Sequence, residues 1–195
     1  MEFKDKVFSA EEIKGQEFAN CKFINCKFLN TNLRFTSFNK CEFITCDLSS
    51  VLFDLTSFIN CSFPESKLSN LDFSQTQIKA CDFTKSIMRN CVFQQLKVGS
   101  KNEKRKFDLT QSKFYQANLA GSVFFLCTLT KVNFGMADLE RVIFDKCNLS
   151  EANLINVNLS GTSFNDCKTE NTILDIEGFL SFGNSKGFVL KPPTI

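Results

Sequence analysis

The sequence contains no histidine and no tryptophan, one tyrosine, three prolines and eight glycines in 195 residues. Without histidine, the usual imidazole base and the usual neutral nitrogen ligand for zinc are missing. So few prolines and glycines exclude a low-complexity chain. No apolar run reaches the roughly 18 residues that cross a bilayer. The opening stretch, MEFKDKVFSAEEIKG, lacks the apolar segment of a signal peptide. Excess charge is missing as well: 23 basic and 21 acidic residues leave +2, too weak a field to hold nucleic acid directly. These absences predict one soluble, cytoplasmic domain with no membrane association.

What is present is a period. Apolar residues recur at every fifth position from Ile13 through Phe18, Phe23 and Phe28 to Phe93, and again from Leu109 to Phe164. All 29 such slots are apolar; against the background composition the chance is on the order of 10⁻¹¹. Phe3 and Phe8 continue the count toward the N-terminus. Five fits neither the 3.6 of a helix nor the 2 of a strand. It fits a chain that turns a corner every five residues, four corners closing a square coil. Stacked coils then bond through their backbones at strand spacing.

Two residues before each central position lies a second inward slot, filled by small residues. All ten cysteines occupy it; Leu71, Leu96 and Phe107 are the bulky exceptions. Asn118, Asp138, Asn148, Asn153 and Asn158 directly precede central leucines, where their side chains suit turns by bonding nearby backbone.

The period breaks between Val98 and Leu109, and phase returns if one, six or eleven residues loop out. Cys21, Cys41, Cys61 and Cys81 are 20 apart, as are Cys127, Cys147 and Cys167. A six-residue loop puts both series in one column with Phe107 between them. The expectation is therefore a projecting loop of Lys101, Asn102, Glu103, Lys104, Arg105 and Lys106, with the coil running over 16–100 and 107–175. Residues 1–15 are expected to cap one end, with Lys6, Glu11 and Gln16 spoiling the small slot and Ser9 and Glu12 forming a capping box. Residues 176–195 are expected to cap the other. There Phe179, Leu180, Phe182, Phe188, Val189 and Leu190 cover the last coil and make a dimer contact, and Pro192 and Pro193 end regular structure.

Catalytic chemistry finds little support. The cysteines read as buried core filler rather than ligands or bridges, because their spacing is a full side of the coil and no histidine assists. The carboxylates fall on outward slots without a pocket to shift one of a pair. No metal, cofactor or catalytic residue is assigned. The basic loop reads either as a solvated, solubilising turn or as a contact arm for a protein partner, and Phe35, Leu55, Phe125 and Leu126 as a side patch.

Ala117-Asn118-Leu119, Ala137-Asp138-Leu139 and Ala152-Asn153-Leu154 resemble the motif of the pentapeptide-repeat family over about residues 16–175. The resemblance implies an all-β, right-handed quadrilateral β-helix of about eight coils. In size and in its loop the chain is also similar to the Qnr-type quinolone-resistance proteins of that family. That likeness implies a C-terminal homodimer that binds DNA gyrase or topoisomerase IV and protects it from quinolones, in some members through a DNA-like acidic surface. A structural scaffold with another protein partner is the alternative.

Overall fold

The five-residue period is a corner period. In the computed structural model, which describes residues 1–28, 31–95 and 106–191, the residue two places after almost every central one has a left-handed backbone. Asn20, Asn25, Asn60, Asn70, Asn90, Asn156 and Asn171 adopt it, and so do Phe35, Leu55 and Met136. Asparagine tolerates this conformation and bulky residues do not, at a cost on the order of 1 kcal/mol each. The asparagines expected to bond their own turns do so. Asn118, Asn148, Asn153 and Asn158 accept the N–H two residues on at 3.0–3.1 Å, and Asp138 does the same at 3.2 Å.

Four corners make one coil, and coils stack as parallel ladders. Phe3 lies under Phe23 and Phe23 under Phe43, with ring centroids 5.1 and 4.7 Å apart. The result is a four-sided parallel β-solenoid of about eight turns. Its faces are numbered here by their central residues. Face I carries Phe3, Phe23, Phe43, Phe63, Phe83 and Phe114, face II Phe8, Phe28, Leu48, Leu68 and Met88. Face III carries Ile13, Leu33, Phe53, Phe73, Phe93 and Phe124, and face IV Phe18, Phe38, Phe58, Ile78 and Leu109. Nearly all of these side chains are fully buried, so the axis is an unbroken apolar core.

The small slot has a bonding role as well as a size limit. At the corner from Phe43 to Cys46 the turn does not close on itself. Instead the Ser66 hydroxyl of the next coil donates to the Phe43 carbonyl at 2.8 Å and accepts the Cys46 N–H at 2.8 Å. Cys46 bridges Phe23 and Cys26 in the same way, and Ser122 bridges Met88 and Cys91. Cysteine, serine and threonine are thus interchangeable there: each is small and carries one donor.

The register corrects the expected loop. Asp82 pairs with Lys113 and Ile87 with Asn118, while Val92–Phe93 pairs with Val123–Phe124. These offsets are 31, against 20 elsewhere, so 31 − 20 = 11 residues are looped out rather than six. Phe107 pairs with Cys127 at the ordinary offset of 20, which places the insertion between Phe93 and Phe107. Consequently Cys81 lies under Ser112, and the two cysteine series occupy different faces. Cysteine identity could not choose among the three loop lengths, because the slot accepts Ser112 above Cys81 as readily as another thiol.

A short helix lies at each end of the coil. The Ser9–Glu12 capping box forms at the start of helix α1, Ala10–Ile13. Lys6 reaches across the open coil, with its ammonium 4.7 Å from the Phe8 ring and 2.9 Å from Glu12. At the other end Asp175 caps helix α2, Ile176–Ser185. Phe182 meets Phe164 edge-on at 5.2 Å, and the Lys186 ammonium donates to the Phe164 carbonyl.

Candidate partner-binding surfaces

With the axis filled, only the outer walls and the two ends can act. The expected contact arm falls almost wholly outside the described residues: Lys101, Asn102, Glu103, Lys104 and Arg105 are not described. Lys106, where the coil resumes, is exposed.

The expected apolar cluster at the C-terminus divides in two. Phe182 is half-buried and packs on the last coil, as a cap should. Phe179, Phe188, Val189 and Leu190 project instead, with Phe179 67% and Val189 79% exposed, and Leu180 is also exposed. Beneath α2 a cavity of about 270 Å³ is lined by Leu154, Phe164, Leu174, Phe179 and Phe182 together with Thr169 and Thr172. The helix therefore covers the end only in part. So much uncovered apolar surface beside a partly filled apolar hollow is the character of a contact surface.

A second apolar surface, on face III, is assembled from residues that are distant in the sequence. Phe35 and Leu55 occupy the same corner of consecutive coils and are both exposed. Above them Val92, Val123 and Ile143 point outward in one row of paired strands, joined by half-buried Phe125 and Leu126. The sequence reading singled out Phe35, Leu55, Phe125 and Leu126 but missed the valine–isoleucine row. Its signal in the sequence is that Val92, Val123 and Ile143 each directly precede a central phenylalanine.

The walls carry charges of both signs. Opposite charges alternate up the walls and pair between consecutive coils, as Lys22–Glu42, Lys113–Asp82 and Lys131–Glu151 at 3.0, 3.4 and 3.5 Å. These exposed pairs add little stability. Their consequence is local neutrality where a DNA mimic needs one sign.

Among the described residues no three His, Cys, Asp or Glu side chains are placed to hold a metal, and the ten cysteines are free thiols. Burial pushes the Cys46 and Cys91 thiols up to about 12, so they stay protonated and poorly nucleophilic at neutral pH. Among the described residues, no helix is long and apolar enough to cross a membrane.

Comparison with known proteins agrees with this geometry. A family model described as pentapeptide repeats (8 copies) matches residues 17–54 and 56–95, and one described as a pentapeptide repeat region matches 105–174. The chain belongs to the pentapeptide-repeat family. Among solved structures it is similar to a trypsin-treated form of QnrB1, a plasmid-mediated fluoroquinolone resistance protein. The identity is 16% over 98% of this chain and 99% of that one, with a TM-score of 0.59. Full-length QnrB1 matches at 18% identity over 96% and 97% of the two chains, with a TM-score of 0.56. No curated relative matches the sequence. At such identities the likeness establishes a shared fold for this pentapeptide-repeat protein and the QnrB1 structures.

Proposed function

We propose that this pentapeptide-repeat protein is a non-enzymatic rod that binds a type II DNA topoisomerase, DNA gyrase or topoisomerase IV, in the cytoplasm and protects it from quinolones. The observation that carries the reading is the end-to-end similarity to QnrB1, over 98% of this chain. Two features favour it further. An insertion interrupts the coil midway, and residues 101–106 within and beside it carry the basic contact arm. The exposed Phe179, Phe188, Val189 and Leu190 supply a homodimer contact. The neutral walls require recognition by shape and by these apolar and basic groups rather than by imitation of DNA.

The test is a gyrase supercoiling assay in ciprofloxacin, with and without the protein. Rescue by the wild type, lost on deleting residues 101–106, supports the proposal. No rescue at several-fold molar excess refutes it and favours a scaffold with a different protein partner. Opposite charges paired between consecutive coils favour that alternative, since such walls suit many partners.

A further inference from the structure

The ladders that bond each coil to the next are intact on faces I and II at every level near the middle of the rod. Phe63 and Phe83 donate to the carbonyls of Asp82 and Lys113, and Leu68 and Met88 to those of Ile87 and Asn118. On the other two faces the ladder stops, once on each. Among the described residues no backbone hydrogen bond joins the Phe53 level of face III to the Phe73 level above it. None joins the strand Gln77–Lys79 of face IV to Phe107–Asp108 above it. The levels beyond these breaks are bonded normally: Leu33 donates to Leu52, Phe73 to Val92, Gln77 to Thr56 and Leu109 to Thr128.

Both breaks have the same local cause. The corners that follow Phe73 and Leu109 are Gln75 and Gln111, and neither has the left-handed backbone of the corners around it. Each still closes a turn, from Thr76 N–H to the Phe73 carbonyl and from Ser112 N–H to the Leu109 carbonyl. Without a positive φ at the third residue the turn is type I rather than type II, and its central peptide is flipped. The carbonyls of Ser74 and Thr110 then no longer face the N–H groups of Leu55 and Ala80 on the coil below. On regular corners that bond is made, as from Phe35 to Asp54 and from Lys85 to Tyr115. The next residue is also misdirected. Thr76 and Ser112 occupy bridging slots, yet among the described residues theirs are the two buried side-chain hydroxyls without a hydrogen-bond partner. The core registers the opening too: the Phe53 and Phe73 rings tilt by 41° at 5.5 Å, whereas Phe73 and Phe93 stack within 14° at 4.8 Å. Clefts of about 230 and 260 Å³ lie at the two breaks. A partner's strand cannot enter the one on face III, because ring centroids 5.5 Å apart leave only one strand spacing of roughly 4.8 Å where an added strand needs two.

We propose that these breaks, one coil apart, make a staggered hinge: face III opens at the lower break while faces I, II and IV stay bonded, and face IV opens at the upper break while faces I, II and III stay bonded. The break on face III cuts its apolar surface between Leu55 below and Val92 above. Bending therefore changes the distance between the two halves of that surface, and a protein clasping both halves selects one angle. A hinge of this kind absorbs its motion in a few corner residues, here Gln75 and Gln111.

Hydrogen exchange on the full-length protein tests this first. The amides of Leu55 and Ala80 are expected to exchange about 10-fold or more faster than those of Phe35 and Lys85, their counterparts on bonded levels. Gln75→Asn with Gln111→Asn, which installs the residue found at many left-handed corners, is expected to slow them. Bending is read from electron–electron distances between spin labels on noncanonical residues. One pair replaces Arg34 and Phe125 on face III, the other Asp47 and Asp138 on face II, each pair four coils apart. The proposal expects a broader distribution on face III that narrows in the double variant. Equal protection of Leu55, Ala80, Phe35 and Lys85 overturns it. So do equally narrow distributions on the two faces, which would leave only a wet but rigid wall.

Discussion

Ser66 and Ser112 hold the same slot of the repeat and are equally buried, yet truncating each to alanine should have opposite effects. The Ser66 hydroxyl serves both the Phe43 carbonyl and the Cys46 N–H. The residue that would otherwise bond that carbonyl from the coil above is Pro64, which has no N–H. Ser66→Ala therefore strands a buried donor and a buried acceptor, at about 1–3 kcal/mol for each, so a loss of about 3 kcal/mol is expected. Ser112→Ala removes a hydroxyl that has no partner, and a gain of about 1 kcal/mol is expected from relieving it. Alanine itself fits, since it fills this slot at Ala117, Ala137 and Ala152 with full burial. Urea unfolding gives the measurement. With a slope of about 2 kcal/mol per molar, the two midpoints should separate by about 2 M, on either side of wild type, at unchanged slope. If Ser112→Ala lowers the midpoint as far as Ser66→Ala, the bridging-hydroxyl account of the coil is wrong.

The core gives a second contrast. Phe124→Ala, in a ring stacked at 4.4 and 5.1 Å on Phe93 and Phe144, should cost about 4 kcal/mol in the same assay, and Phe53→Ala, beside the open ladder, about 1 kcal/mol less. Gly121 has φ +72°, and an added Cβ would lie 2.5 Å from the Asn90 Oδ1; Gly121→Ala should lower stability by about 1–2 kcal/mol. The Glu12 carboxyl is held down to about 2 by the Ser9 backbone N–H and then by Lys6. Its contribution is therefore complete above the ordinary value of 4.5 and is lost as pH falls from there toward 2. Glu12→Gln should flatten that stretch of a melting-temperature profile. Phe188→Asp with Val189→Asp should convert the proposed dimer to a monomer in sedimentation without lowering the melting temperature, because both side chains project from the coil.

The inward half of this molecule was legible because the axis imposes one demand at every step. A side chain that points into a square prism must be apolar, and one that crowds a corner must be small, so Phe23 and Cys26 announce their places. The bridging role of the small slot was not legible. It depends on a carbonyl 23 residues away, as with Ser66 and Phe43, and no local pattern encodes that. The insertion length failed for a related reason. A five-residue period fixes phase modulo five and nothing else, and Ser112 above Cys81 satisfies the same demand that a cysteine would.

The outward slots obey no comparable rule, and that is where function has to lie. Three of every five residues face solvent, and their freedom to vary leaves no period to read. Phe35 and Leu55 become neighbours of the Val92, Val123 and Ile143 row only once the register is known. The hinge corners show the limit most clearly. Gln116 takes the left-handed corner with φ 57°, while Gln75 and Gln111 do not, so the same residue type supports both backbones. Glutamine has neither the local hydrogen bonding that favours asparagine in this conformation nor glycine's freedom. The corner it adopts is then decided by its neighbours in the stack. Gln111 lies just past the insertion, but the coil around Gln75 keeps the ordinary offset of 20, with Asp72 paired to Val92, so the insertion does not adjoin both corners. Asparagine substitution at these two corners therefore tests whether the corner itself or the insertion sets the hinge.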